Sequence, residues 1–190
     1  MTKQDATFEL MEISSGPDDP VHRCHSDIVG VVRAAGEYRL IAVKNIIAGK
    51  RLFRIEGEKT HRPSRYSIQI GENLHLDLGK EHSLEEILNR YFWRFMNHSC
   101  DPNTLIHSQE AIALRAIEPW EDVTFNYNTT EYDLAEPFVC RCGHLRCLGK
   151  IRGFSHLTPY ERERLRPFLA PYLKPLLGLK TLACAEAVPA

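Results

Sequence analysis

The chain has 190 residues, of which 43% are hydrophobic and 26% charged, and this suits one globular domain with its own core. Its formal net charge of −1 gives no basic stripe, so no nucleic-acid signature is read and nucleic acid is not the expected partner. No apolar run is long enough to span a bilayer, so no membrane partner is expected.

Residues 1–27 are polar, contain the turn-rich run Gly16-Pro17-Asp18-Asp19-Pro20 and are expected to form an N-terminal arm. They lack a basic-then-apolar leader pattern, so an intracellular, reducing compartment is expected, with nucleus and cytoplasm both open. From Ile28 onward short apolar runs are broken by glycine and charge. The runs Ile28–Val32, Tyr38–Val43, Arg51–Ile55, Tyr66–Ile70 and Leu74–Leu78 are expected to be β-strands, the last two with clean alternation. Ser83-Leu-Glu-Glu86 is a capping-box pattern and predicts a helix to about Phe92. Strands are expected again at Ala111–Ala116 and Asp122–Tyr127, followed by a loop over 128–139. Thr158-Pro159-Tyr160-Glu161 supplies an N-cap, a proline at the first helical position and an acidic third position. A helix should run to about Arg166, with Arg162 to Arg166 as a solvated face. Pro167, Pro171 and Pro175 should then leave only short helical turns before a frayed end over 181–190.

Six cysteines in a chain with no leader pattern favour thiols and metal over disulfides. Cys140, Cys142 and Cys147 are closely spaced around the Gly143 turn, and soft thiolates select zinc over magnesium or calcium. The fourth ligand must come from Cys100 or from His144. Four thiolates would leave no open position for water, so the expected role is structural. Cys24 and Cys184 are left over as ordinary small side chains. Trp93 and Phe95 are expected in the core, and Asp101 and Asn103 are expected to build the turn around Pro102.

Several segments in one order resemble the SET-domain protein-lysine methyltransferases. Arg94-Phe-Met-Asn97-His98-Ser-Cys100-Asp-Pro-Asn103 is similar to the family's core motif. Asp122-Val-Thr-Phe125-Asn-Tyr127 is similar to its second motif, Cys140 to Gly149 to the zinc-binding post-SET tail, and Ala42 to Glu58 to the N-terminal half. The resemblance covers about residues 28–154. It implies a mainly β fold with short helices, in which several small sheets surround a pseudoknot. The chain would then divide into an arm (1–27), a SET domain (28–133), a post-SET zinc segment (134–154) and a C-terminal helical extension (155–190).

The resemblance also implies S-adenosylmethionine as methyl donor and a lysine side chain of a protein, a histone tail being the commonest class, as acceptor. Tyr127 matches the catalytic tyrosine and Tyr66 is a candidate second wall of the lysine channel. Phe125 occupies the channel position that influences how many methyls are added, and phenylalanine there resembles the di- or trimethylating members. Asn97 and His98 match cofactor-holding residues, His98 mainly through its backbone. Gly36, Tyr38, Arg94, Phe95, Tyr127 and Leu148 are further cofactor contacts, Leu148 as a cover for the adenine. The zinc ligands would be Cys100, Cys140, Cys142 and Cys147. Two positions depart from the pattern: Tyr38 stands where the family has a second glycine, and Ile55 where it often has tyrosine. An alternative reading is a SET-fold module that binds cofactor or a protein partner with weak or no turnover.

Overall fold

The computed structural model describes residues 22–23, 26–34, 36–79 and 81–178. Most of the expected arm, both spare cysteines and the expected frayed end lie outside the described residues. The strands are short: β1 (His22–Arg23), β2 (Val29–Ala34), β3 (Glu37–Ala42), β4 (Arg51–Arg54), β5 (Glu58–Thr60), β6 (Ile68–Gly71) and β7 (Leu74–Asp77). Helix α1 (Leu84–Arg90) follows, then β8 (Asn97–His98), β9 (Thr104–His107), β10 (Glu110–Ala113) and β11 (Thr124–Phe125). The chain closes with β12 (Phe138–Val139), β13 (Lys150–Ile151) and α2 (Pro159–Leu165).

These strands form five small sheets, ordered β1-β2-β3, β4-β10-β9, β5-β7-β6, β8-β11 and β12-β13. One apolar cluster joins the first three. Val29, Val31, Leu40 and Ala42 come from the β2–β3 hairpin, Leu52 and Ile106 from the second sheet, and Ile68 and Leu76 from the third. In β2 Val29, Gly30, Val31 and Val32 are buried in succession, so this strand is covered on both faces. The Phe92–Phe95 turn inserts Phe92 and Trp93 into this core, and the Trp93 indole N–H donates to Glu56 O at 2.9 Å. Ile55 is also buried here, at 1% exposure.

Where expectation and structure differ, a local bond explains it. The Ser83 hydroxyl accepts from the Glu86 N–H, but the Glu86 carboxylate turns to the His82 ring at 3.0 Å, so only half of the capping box forms. The expected strand at 122–127 shrinks to Thr124–Phe125, because the Asn126 side chain accepts from the Asn128 N–H and starts a 3-10 turn at Tyr127. The strand expected from Tyr66 begins at Ile68, and Tyr66 lies in the preceding turn. Asn103 does more than build a turn. It is 1% exposed, donates to Asp122 O at 2.7 Å and accepts from the Thr124 N–H at 3.0 Å.

The C-terminal extension has its own cluster of Phe154, Leu157, Leu165, Leu169 and Leu173. Thr158 and Glu161 complete a reciprocal capping box at the start of α2. The solvated face expected over 162–166 is corrected by Arg162, which is 2% exposed. Its guanidinium lies 4.7 Å from the centroid of the Phe154 ring and donates to Ser155 O at 2.9 Å, so the charge is buried with partners.

Candidate active site and metal centre

Tyr127 is placed from three sides. β8 and β11 pair in parallel, with Asn97 opposite Thr124 and His98 opposite Phe125. The Ser99 N–H donates to Phe125 O at 3.1 Å and extends that ladder. The Tyr127 hydroxyl donates to Met96 O at 2.8 Å, and its own N–H donates to His98 Nδ1 at 3.1 Å. Its ring sits in an aromatic group, 4.7 Å from Phe125, 5.3 Å from His98 and 5.9 Å from Phe138. Burial pushes the phenol upward, so Tyr127 stays neutral at physiological pH.

His98 contributes its side chain as well as its backbone. Because Nδ1 accepts from Tyr127, the ring proton belongs on Nε2, which faces Cys100 Sγ at 3.3 Å. Burial brings the imidazole down to about 4, which keeps it neutral. One neutral ring therefore links the backbone of Tyr127 to a thiol of the cysteine cluster.

The expected cofactor residues are gathered in part. Gly36, at φ +82, closes the β2–β3 turn in the left-handed region. Tyr38 packs its ring 5.0 Å from Phe95, and its carbonyl accepts from Asn97 Nδ2 at 3.2 Å, so Tyr38, Phe95 and exposed Asn97 are neighbours. Arg94 stacks 4.7 Å over the Tyr66 ring and approaches Asp77 at 3.7 Å. Tyr66 itself is 55% exposed. Leu148 packs against the C-terminal apolar cluster, and its N–H points at Cys100 Sγ.

The thiols of Cys100, Cys140, Cys142 and Cys147 all lie within 4.8 Å of one another. Cys100 Sγ is 3.9 Å from both Cys140 Sγ and Cys147 Sγ. That is far beyond a disulfide bond of about 2 Å. It is close to the edge of about 3.8 Å of a sulfur tetrahedron drawn at zinc–thiolate length. The Leu148 and Gly149 N–H groups donate to Cys100 and Cys147 sulfur at 3.5 and 3.4 Å. Gly143 and Gly149 take φ +70 and +69, which lets the loop fold back twice. His144 turns away: its Nδ1 accepts from the Arg146 N–H and its Nε2 faces Asp101 at 3.5 Å. The donor set therefore suits a structural zinc ion held by four thiolates, with Cys100 rather than His144 as the fourth.

Three contributors escaped the sequence reading. The Met96 carbonyl and Phe138 touch Tyr127, and the one sequence signal for Phe138 is its place as the apolar residue just before the cysteine loop. Glu131 is 5% exposed, accepts from the Gln69 N–H at 2.8 Å and lies 3.9 Å from the His75 ring. Burial pushes its carboxyl up to about 7, against the pull of the Gln69 N–H and the Thr130 hydroxyl. No periodicity marks an acidic residue in Asn128-Thr-Thr-Glu131 for burial.

Residues 37–128 match the SET domain family, and that segment of the chain is a SET domain. Among curated relatives, it is 29% identical to the methyltransferase flvH of Aspergillus flavus over 124 residues, 63% of this chain and 62% of that protein. It is 30% identical to an H3 lysine-36 specific histone-lysine N-methyltransferase of Yarrowia lipolytica over 131 residues, 61% of this chain and 17% of that protein. It is 34% identical to the histone-lysine N-methyltransferase ash1 of Drosophila melanogaster over 90 residues, 43% of this chain and 4% of that protein. The chain thus spans less than two thirds of each of these relatives.

Two solved structures share the fold. KRYPTONITE, crystallised with DNA, an H3(1–15) peptide and SAH, superposes with a TM-score of 0.50 at 22% identity, over 67% of this chain and 30% of that one. Arabidopsis thaliana SUVH6, crystallised with SAM, gives 0.51 at 17% identity, over 66% of this chain and 34% of that one. Since one of these folds was crystallised with DNA, the composition-based expectation of no nucleic-acid partner is not supported by the comparison. Among the described residues no helix is long and apolar enough to cross a membrane.

Proposed function

We propose that this chain is an S-adenosylmethionine-dependent methyltransferase acting on the side-chain amine of lysine in a protein, a histone tail being the leading substrate class. The SET domain and methyltransferase-named relatives support the reaction class. The observation that carries it is the Tyr127 hydroxyl, fixed to the Met96 carbonyl beside the Asn97-His98 strand. S-adenosylmethionine supplies the electrophilic methyl group. Tyr127 spends its one proton on Met96, so its phenol oxygen remains an acceptor and orients an incoming amine. As a neutral phenol it does not serve as the base. The aromatic wall of buried Phe125 and half-buried Tyr127 and Phe138 disfavours an ammonium and so favours the neutral amine that can attack. Asn97, Tyr38 and Phe95 are the residues we assign to cofactor binding with Gly36, Arg94 and His98. Tyr66, exposed on its turn, is kept as a channel wall and Leu148 as a cover. A zinc ion on Cys100, Cys140, Cys142 and Cys147 holds the loop, and such thiols require a reducing compartment.

Phe125 is buried against the Tyr127 ring, and with no hydroxyl of its own it leaves the amine free to turn after each transfer. Products up to di- or trimethyllysine follow. The test is methyl transfer from labelled S-adenosylmethionine to mixed core histones. Tyr127→Phe should reduce it by about a hundredfold or more, and Phe125→Tyr should shift the product toward monomethyllysine by mass spectrometry. Equal transfer by wild type and Tyr127→Phe would refute the assignment. The packing of Tyr38 on Phe95 favours a second reading, a SET-fold module that binds without turnover. That reading would show as cofactor binding with no transfer to any protein in a cell extract.

A further inference from the structure

The residues beyond the matched domain return to the segment that carries Tyr127. The Phe154 N–H donates to Glu131 O, the Ser155 N–H to Tyr132 O and the Ala170 N–H to Thr129 O, each at 2.8 Å. Gly153 makes this approach possible. Its φ is +111, and a Cβ there would lie 2.7 Å from Tyr132 O.

Tyr172 reaches further than these. Its hydroxyl lies 2.6 Å from Gln69 O and 2.9 Å from Thr130 O. A phenol has one proton, so two carbonyl oxygens share one donor. Gln69 lies on β6, an edge strand of its sheet. Its backbone N–H donates to the Glu131 carboxyl at 2.8 Å, and its side-chain oxygen accepts from the Tyr132 N–H at 2.8 Å. The edge of β6 is thus fastened to residues 130–132, and Tyr172 closes the seam. The other end of this segment is Tyr127 itself, whose carbonyl accepts from the Thr130 and Glu131 N–H groups at 3.1 and 2.8 Å.

We propose that Tyr172 is a positioning residue, which locks the Tyr127-bearing segment against β6 and makes the C-terminal extension a working part of the transfer site. The assignment rests on the reading of Tyr127 as the catalytic tyrosine. Tyr172→Phe keeps the ring and removes the shared proton, so two inward-facing carbonyls lose their donor. The segment then relaxes at its far end, and the Tyr127 ring loses its fixed angle.

The experiment compares Tyr172→Phe with Leu165→Ala in the full chain. Leu165 belongs to the same apolar cluster and makes none of these bonds. Hydrogen exchange over 127–132, zinc content, cofactor affinity by titration, and kcat on mixed core histones are measured. In Tyr172→Phe we expect faster exchange over 130–132 and a kcat lowered between about tenfold and a hundredfold. Cofactor affinity and zinc content should stay unchanged. Leu165→Ala should lower the melting temperature more, yet leave exchange over 130–132 and kcat below that temperature as in the wild type. Unchanged exchange in Tyr172→Phe, or the same changes in both variants, would overturn the proposal. Absence of transfer by the wild type would count against the methyltransferase reading, and the exchange difference would still decide whether Tyr172 locks the segment.

Discussion

Between Phe138 and Lys150 the chain buries no apolar side chain and forms only half of a two-residue ladder, whereas between Phe154 and Leu173 it buries five apolar side chains in one cluster. Both segments follow Tyr127 and both are tied to it. The first is tied through Cys100 and the His98 ring, the second through Ala170 and Tyr172. Burial can hold the second segment but not the first, where apolar contact is replaced by four converging thiols. The stability of one segment should therefore depend on metal and redox state, and that of its neighbour should not.

Metal removal gives the largest expected effect. A four-thiolate zinc site contributes on the order of 10 kcal/mol to a small module. With one zinc per chain, a strong chelator should release the amides of 138–151 to rapid exchange while 159–177 stay protected. Native mass spectrometry would follow the metal and exchange the amides. Equal loss of protection in both segments would show that the two are one cooperative unit.

Phe154→Ala breaks the other side of the comparison. The ring is fully buried and carries the Arg162 guanidinium on its face. Truncation should cost about 3–5 kcal/mol and leave a buried cation without its aromatic partner. Zinc content should be unaffected. Urea unfolding alongside metal analysis would check both, and a loss of zinc in this variant would show that the extension supports the loop.

The sequence was most legible where one residue type in one pattern carries one job. The cysteine trio at 140, 142 and 147, the β2–β3 and β6–β7 strands, and the caps at Ser83 and Thr158 are local signals, and each is found in the structure. It was less legible where a side chain's role is set by residues far along the chain. Tyr127 ends in a turn because Asn126 caps it. Arg162 is charged and central in a polar run, yet it is buried because Phe154 and the Ser155 carbonyl receive it. Leu148 packs against an apolar cluster built from residues that follow it, a contact its own loop does not signal. Such outcomes depend on tertiary partners that no window of sequence contains.

Glu131 offers a smaller and more exact way to sharpen the comparison, because it lies in the seam between β6, the Tyr127 segment and the extension. Its folded pKa of about 7 stands above its ordinary 4.5, chiefly through burial. The folded state therefore holds the proton more tightly than the unfolded chain. The penalty is absent below about pH 4.5, grows as pH rises, and is complete above about pH 7. The full shift corresponds to about 3 kcal/mol. His75, 3.9 Å away, is a weak partner for it, since burial lowers the pKa of the ring and disfavours its charged form. Glu131→Gln keeps an acceptor for the Gln69 N–H but cannot ionise. It should be more stable than the wild type by about 1 kcal/mol at pH 5 and about 3 kcal/mol at pH 8. Because both proteins carry the same cysteine cluster, the metal's own pH dependence cancels in the difference. Urea midpoints at the two pH values measure it. A difference that stays flat across this range would mean that Glu131 is ionised in the fold at pH 5, with a partner stronger than His75 drawing its charge into the seam.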